Sequence, residues 1–452
     1  MSGGTVEAAR PPAVRGLPLL GNLPGLANDP AAFLVRCYRE YGPVFRIRVL
    51  NRNVTVLAGP DLARFMGSRE GRTALRSKEV WQGLVDEYGA RTSVLGADGA
   101  EHRRLRDLMR RGYSREALAG RMGDLVGITD QCLDQGWPAG GRVPVVEALQ
   151  RLVVTQLGTL LTGRVPLDYV EDIRTTILTI LNVHVVKQRP AVMLRLPRYQ
   201  RAKARVVELS DLMIAEHAAR PPHAAHERTL VDDLMDAHAD DPDLLSRNEL
   251  VVALTGPYVA GLDTVANTLG GLVYLVLKHP DVLRRIRAES DEAFGAGPVG
   301  DDLVERLPAT HGAVQEAMRL YPIAVAQPRV ANRDFEYAGH TVLEGEDVYC
   351  AITVPHFLEE FFPDPGRFDI DRYTDERREH ARPGAYAPFG KGPHTCLGKG
   401  IADVQMTVTA ARLFHRLELA LDPPDYTLRR KAVPTPGPAS SFRVRVAGHR
   451  SS

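Results

Sequence analysis

The stretch Phe389-Gly390-Lys391-Gly392-Pro393-His394-Thr395-Cys396-Leu397-Gly398 sets one cysteine inside a glycine-rich loop that runs directly into a helical pattern. Ile401, Val404, Val408 and Ala411 follow at helical spacing, so Cys396 sits at a helix N-terminus, where the dipole and free N–H groups favour a thiolate. Such a sulfur can hold a metal. Gly390, Gly392 and Gly398 let backbone approach a flat, bulky cofactor and donate hydrogen bonds to the sulfur, and Phe389 is placed to pack against the same group.

Blander readings compete with this one. A lone cysteine is most often a buried small hydrophobe. A phosphate loop does not fit, because the span from Gly392 to Gly398-Lys399 is one residue too long and Gly400 stands where Ser or Thr is needed. A dinucleotide fingerprint needs a small residue where Asp403 stands, and Ala385-Tyr386-Ala387-Pro388 makes a poor preceding strand. Zinc lacks a second cysteine at finger spacing, with only His394 nearby.

The pattern F-x-x-G-x-x-x-C-x-G nevertheless resembles the haem-ligand signature of the cytochrome P450 family at all four fixed positions, and the family's other fixed points stand upstream in order. Glu101-His102-Arg103-Arg104-Leu105-Arg106 places His102 and Arg106 on one helix face. Alone this is a solvated basic helix, but it resembles the family's haem-propionate ligands. Ala260-Gly261-Leu262-Asp263-Thr264 resembles the oxygen-binding pattern, in which a carboxylate, a hydroxyl and room for water deliver protons where the helix loosens; the bland alternative is a threonine bonded back to its helix. Glu316-Ala317-Met318-Arg319 resembles the family's E-x-x-R, with Arg367 of Pro365-Gly366-Arg367-Phe368 as the expected third partner. Arg329, on an expected strand, resembles a further propionate ligand.

Composition agrees with an ordinary globular protein. The 452 residues hold 57 basic and 56 acidic side chains, a balance with no pull toward nucleic acid. Four scattered cysteines, at 37, 132, 350 and 396, do not resemble a disulfide framework. Residues 1–15 read as a flexible tail without signal or membrane anchor, and the chain is expected in the cytoplasm. Between them, Val44–Val49 and Val54–Leu57 read as a hairpin, residues 76–99 as a loop or short helices, and Phe335–Ile352 as a small sheet. The run from Val251 to Leu277 is long enough to span a bilayer, but Pro257, four glycines, Asn267 and Asp263 favour a helix through the middle of a large domain.

The resemblance implies a mainly α fold with small β-sheets, a single domain over residues 16–452 around a long central helix and haem b (iron protoporphyrin IX). Cys396 is then the axial iron ligand, with cofactor contacts from His102, Arg106, Ala260, Gly261, Arg329, Phe389, Gly390, His394 and Gly398. Asp263 and Thr264 are catalytic, and Glu316, Arg319 and Arg367 structural. The implied activity is a monooxygenase that inserts one atom of dioxygen into a lipophilic small molecule, or couples it oxidatively, in secondary metabolism. No flavin or iron–sulfur module is present, so electrons from NAD(P)H are expected through a ferredoxin or flavodoxin with its reductase, acting on a monomer. An acidic donor is expected to dock on Arg103, Arg104, Arg110, Arg111 and Arg115, with Lys391 and Lys399. The alternatives are a non-catalytic haem sensor or carrier, and a peroxide-driven peroxygenase.

Overall fold

The computed structural model describes residues 10–220 and 228–450. The first nine residues of the expected tail lie outside the described residues. From Pro12 onward the chain is already held, with Arg46 N–H donating to Pro12 O and Val14 N–H to Arg46 O.

Helices dominate, and the longest, Arg247–Lys278, runs through the centre. Its start is fixed by a capping box in which Ser246 and Glu249 exchange hydrogen bonds. Glu249, itself buried, also accepts from the Arg91 N–H at 2.6 Å, tying the preceding loop to the helix start. It is the one helix among the described residues long and apolar enough to cross a membrane, yet 72% of that window is buried inside the protein. Burial all round explains its apolar composition. It packs against the helices Val145–Leu157, Pro197–Ala219 and Pro308–Leu320.

The expected hairpin is present, Val44–Val49 against Arg52–Ala58, with Val44 opposite Leu57 and Phe45 opposite Val56. These pairs alternate between two apolar clusters on opposite faces of the sheet. The strand Asp347–Ala351 joins the hairpin in parallel, and Gln327–Ala331 and Leu75–Arg76 complete five strands. The Phe335–Ile352 region therefore does not form one small sheet. Phe335–Tyr337 and His340–Val342 pair only with each other, whereas Asp347–Ala351 belongs to the larger sheet.

Residues 76–99 contain a full helix, Lys78–Glu87, whose Leu84 packs with Ile180, Val183, Leu194 and Tyr199. Gly83 makes this approach possible: a Cβ there would lie 2.1 Å from His184 Cγ.

Candidate functional site

One largely apolar cavity of about 250 Å³ lies between the central helix, the Gly99–Arg110 helix and the loop ahead of the Lys399–Arg416 helix. Its wall includes His102, Arg106, Ala260, Gly261, Thr264, His394, Cys396 and Gly398. Phe389, Gly390 and Arg329, expected to touch the same group, are not in this wall. Phe389 packs on the main core, and Arg329 sits on its strand behind the loop.

Cys396 is the only cysteine that opens onto the cavity. Its exposed surface faces that hollow. Burial of the surroundings pushes its thiol pKa up, against the Gly398 N–H and the Arg106 guanidinium, which both favour the thiolate. None of the other cysteines lines the cavity, and burial raises Cys37 to about 11, Cys350 to about 12 and Cys132 as well.

The loop closes on itself where Cys396 N–H donates to Phe389 O at 2.8 Å. Of its glycines, only Gly398 reaches the cavity. Gly390, at φ +77°, is required by a different neighbour, since a Cβ there would fall 2.5 Å from Gln327 Nε2. The four helical positions Ile401, Val404, Val408 and Ala411 are all buried, as their spacing predicts.

Beside the sulfur stands a set of cationic and protonatable groups short of anions. His102 is buried, stacks on His394 at 4.1 Å, and has Nε2 without a hydrogen-bond partner. Burial, then the neighbouring His394 and Arg106, pull its pKa down to about 4. Burial likewise lowers Arg106 and Arg329, and the Arg329 side chain donates only to the Pro328 carbonyl, at 2.7 Å. A nearby carboxylate, Asp98, is occupied by His394 Nε2 at 3.1 Å and by the N–H groups of Ser77 and Lys78. Asp98 was not apparent in the sequence, because nothing in its spacing marks it. Buried donors without acceptors are costly, so this cluster fits a planar group carrying two carboxylates. Among the described residues no three His, Cys, Asp or Glu converge on a metal position. A metal on Cys396 must therefore arrive already held by other ligands, as iron in a porphyrin is.

The Asp263–Thr264 pair is split by the helix. Thr264 faces the cavity, but the helix does not loosen there, and its hydroxyl donates to Ala260 O at 2.6 Å, the bonded-back arrangement. Asp263 is buried on another face. Its Oδ1 accepts from Gln150 Nε2 at 2.5 Å and Arg174 Nε at 3.3 Å, and Oδ2 is buried without a partner.

Glu316 and Arg319 form a bidentate pair with both contacts at 2.7 Å, fully buried. The third partner is not Arg367, whose side chain is exposed and which gives only its backbone carbonyl to Arg319. It is Arg372, fully buried, whose Nε lies 3.1 Å from Glu316 Oε1 and which reaches Glu379 at 2.8 Å. Arg367 directly follows the Asp364–Gly366 turn, so its carbonyl faces inward and its side chain outward, whereas the short helix Ile370–Tyr373 carries Arg372 back under Glu316. Tyr373 Oη at 2.8 Å and the Asp369 N–H at 3.1 Å satisfy the remaining carboxylate positions.

The expected arginine patch is largely neutralised within the chain. Arg104 pairs with Asp241, Arg110 with Asp107, Arg111 with Asp233 and Arg115 with Glu305. Among the described residues Arg103, Lys391 and Lys399 are exposed with no acidic partner.

A family model described as "Cytochrome P450" matches residues 11–436. A relative named "Putative cytochrome P450 139" from Mycobacterium tuberculosis is 27% identical over 86% of this chain and 90% of its own length. The "Cyclooctat-9-en-7-ol 5-monooxygenase" of Streptomyces melanosporofaciens is 28% identical over 89% and 88%. Among solved structures, a retinoic acid-bound cyanobacterial CYP120A1 superposes with a TM-score of 0.83, at 25% identity, over 97% of this chain and 99% of that one. The haem domain of cytochrome P450DA gives the same TM-score at 23% identity, covering 98% of each chain, a likeness of fold.

Proposed function

The chain belongs to the cytochrome P450 family of haem-thiolate monooxygenases, and from that premise we propose that Cys396 holds the iron of haem b and that the cavity above it oxidises a lipophilic small molecule. The observation that carries this reading is the meeting, in one cavity, of the only open cysteine with the Arg106 side chain and with His102, whose buried Nε2 has no hydrogen-bond partner. His102 and Arg106 in the wall, with Arg329 beyond it and His394 beside His102, would bind the carboxylates of the haem, giving His102 Nε2 the partner it lacks. When bound, haem b supplies the iron at which dioxygen is reduced and one oxygen atom passes to the substrate.

The chain's own residues supply position, dryness and protons. The apolar wall around Leu84, Val94, Leu95, Val252 and Val259 excludes water and favours an apolar substrate. Thr264 Oγ1 is placed to hold a water at the cavity wall. Asp263 lies on another face of the helix, with Oδ1 held by Gln150 and Arg174 and Oδ2 unpartnered, so it would deliver a proton to that water only by turning its carboxylate toward the cavity, and we assign it that role.

The printed activity of the Streptomyces relative, 5-monooxygenation of cyclooctat-9-en-7-ol, supports a cyclic, lipophilic alcohol as the kind of substrate for this chain, to which we assign a place in secondary metabolism. Electrons from NAD(P)H reach this family through redox partners, and Arg103, Lys391 and Lys399 are the positive charges left free for an acidic ferredoxin or flavodoxin.

The decisive measurement is the reduced carbon-monoxide spectrum. Cys396→Ala is expected to lose the thiolate-type band, whereas Cys37→Ala, Cys132→Ala and Cys350→Ala keep it. Retention of the band by the Cys396 variant overturns the assignment.

A further inference from the structure

A second cavity, of about 410 Å³, lies between the helix Val170–Ile180, the widened turn Leu181–Val185 that follows it, the short helix Ala191–Arg195 and the start of the helix Pro197–Ala219. It opens to solvent past Arg189 and Arg198, both exposed, and shares no wall residue with the cavity over Cys396. Its floor is apolar and fixed. Val183 and Tyr199 are buried in the cluster that also takes in Leu84 and Ile180. Tyr199 Oη donates to Glu87 Oε2 at 2.6 Å, where Lys203 Nζ joins at 3.2 Å. Asn182 closes the widened turn: its carbonyl accepts from the Gln188 N–H at 2.9 Å and the Arg189 N–H at 3.2 Å, and its side-chain amide donates to Leu178 O at 2.8 Å. Widened turns within helices recur at functional sites.

Above that floor the wall is cationic. Arg174, Arg189 and Arg198 line it against one carboxylate, Glu171, which accepts from Arg174 Nη1 at 3.1 Å and lies 3.7 Å from Arg198 Nη2. The imbalance extends along the chain. No acidic residue occurs between Asp172 and Glu208, a span that holds eight Lys and Arg side chains. Of these, Lys187, Arg189, Arg195 and Arg201 are exposed with no acidic partner among the described residues. Cations gathered without counter-charges repel one another, and an apolar floor gains nothing from water. One kind of occupant relieves both, an anion with an apolar body.

We propose that this cavity is a second binding site, for a small amphipathic carboxylate whose charged end meets Arg174, Arg189 and Arg198 and whose hydrocarbon body lies on Val183, Met193 and Tyr199. Guanidinium groups match the two oxygens of a carboxylate in paired hydrogen bonds, and the volume falls in the range of small-molecule sites. Inorganic phosphate would meet the arginines but leave the floor uncovered. A neutral alcohol would cover the floor but leave Arg189 unpaired. The site is independent of the cavity over Cys396, so its failure leaves the haem assignment untouched.

The test is calorimetric titration of the haem-loaded full chain with octanoate, and with octanol and inorganic phosphate as the uncharged and tail-less probes, while the haem absorption band is followed in parallel. Octanoate in the second cavity gives heat without moving that band. It is expected to bind with a dissociation constant below about 1 mM, and octanol and phosphate each about tenfold or more weaker. Arg189→Glu with Arg198→Glu is expected to weaken octanoate about tenfold or more. Thr175→Phe, at a half-buried position in the wall, fills the cavity and is expected to abolish binding. Both variants should keep the circular dichroism and the reduced carbon-monoxide band of the parent. Absence of octanoate binding by the parent chain overturns the proposal, and so does heat that accompanies only a shift of the haem band, which places octanoate over the iron. Octanol binding as tight as octanoate, or undiminished octanoate binding by the charge-reversed or the filled variant, overturns it as well.

Discussion

Replacing Arg372 with alanine removes three things at once: its Nε contact to Glu316, its bond to Glu379 and its donation to Asp364 O at 2.9 Å. The two ion contacts lie in a region closed to water. Glu316 retains Arg319, but two fully or nearly buried carboxylates then share less positive charge, and breaking a buried ion cluster by removing one partner typically costs about 3–5 kcal/mol. Globular proteins unfold with roughly 2.1 cal/mol/K of entropy per residue. Over 452 residues that is about 0.95 kcal/mol/K, so the midpoint should fall by roughly 3–5 °C. Because the cluster fastens the segment leading to the cysteine loop, the haem-loaded fraction of purified protein should fall with it. Arg367→Ala is the matched control. Its side chain is exposed and only its carbonyl is used, so it should shift stability by no more than about 0.5 kcal/mol. The assay is thermal unfolding followed by circular dichroism, alongside the haem-to-protein absorbance ratio. Equal losses in the two variants, or a larger loss from Arg367→Ala, would refute the assignment of Arg372 as the third member. Arg372→Lys should recover only part of the loss, since an ammonium cannot reproduce the fork.

Thr264→Ala should leave the reduced carbon-monoxide band intact but lower the ratio of product formed to reductant consumed; an unchanged ratio leaves Thr264 a purely structural helix residue. Asp263→Asn should slow product formation by about 10²-fold or more, the lower range of general acid–base contributions, and a rate within a factor of two removes the carboxylate from proton delivery. His356 is fully buried, and burial followed by Arg319 pulls its pKa down to about 3, while its Nε2 accepts from the Ala387 N–H at 3.0 Å. Because the folded value lies below the unfolded one of about 6.5, the unfolded state binds the proton first as pH falls. Stability is therefore full above about pH 6.5 and is lost toward pH 3, by at most ~5 kcal/mol. His356→Gln keeps an acceptor for Ala387 and should flatten that part of the unfolding profile; a superimposable profile refutes the cause. Arg103→Glu with Lys391→Glu should slow reduction by an acidic ferredoxin and weaken its salt dependence, since the Debye length shrinks to about 3 Å at 1 M salt. Rates that ignore both salt and charge reversal reject this docking face.

The cysteine loop, the arginine-rich helix, the central helix and the E-x-x-R were legible in the sequence because each is local. Their residues lie within one or two helical turns or a single loop, so spacing alone fixes which side chains share a face. His102 with Arg106, and Glu316 with Arg319, meet for that reason. What spacing does not carry is the path of the chain between elements. The turn at Asp364–Gly366 sends Arg367 outward and brings Arg372 under Glu316, although the sequence pattern favoured Arg367. The rotation of the central helix sends Asp263 toward Gln150 and Arg174 and leaves only Thr264 on the cavity. The arginines at 104, 111 and 115 find acids more than a hundred residues away, which turns an apparent basic patch into a mostly neutral surface. Local periodicity sets which side chains point together along one element; the packing of distant elements decides what they meet, and the energies that matter at this site, desolvation and pairing of buried charge, depend on the second.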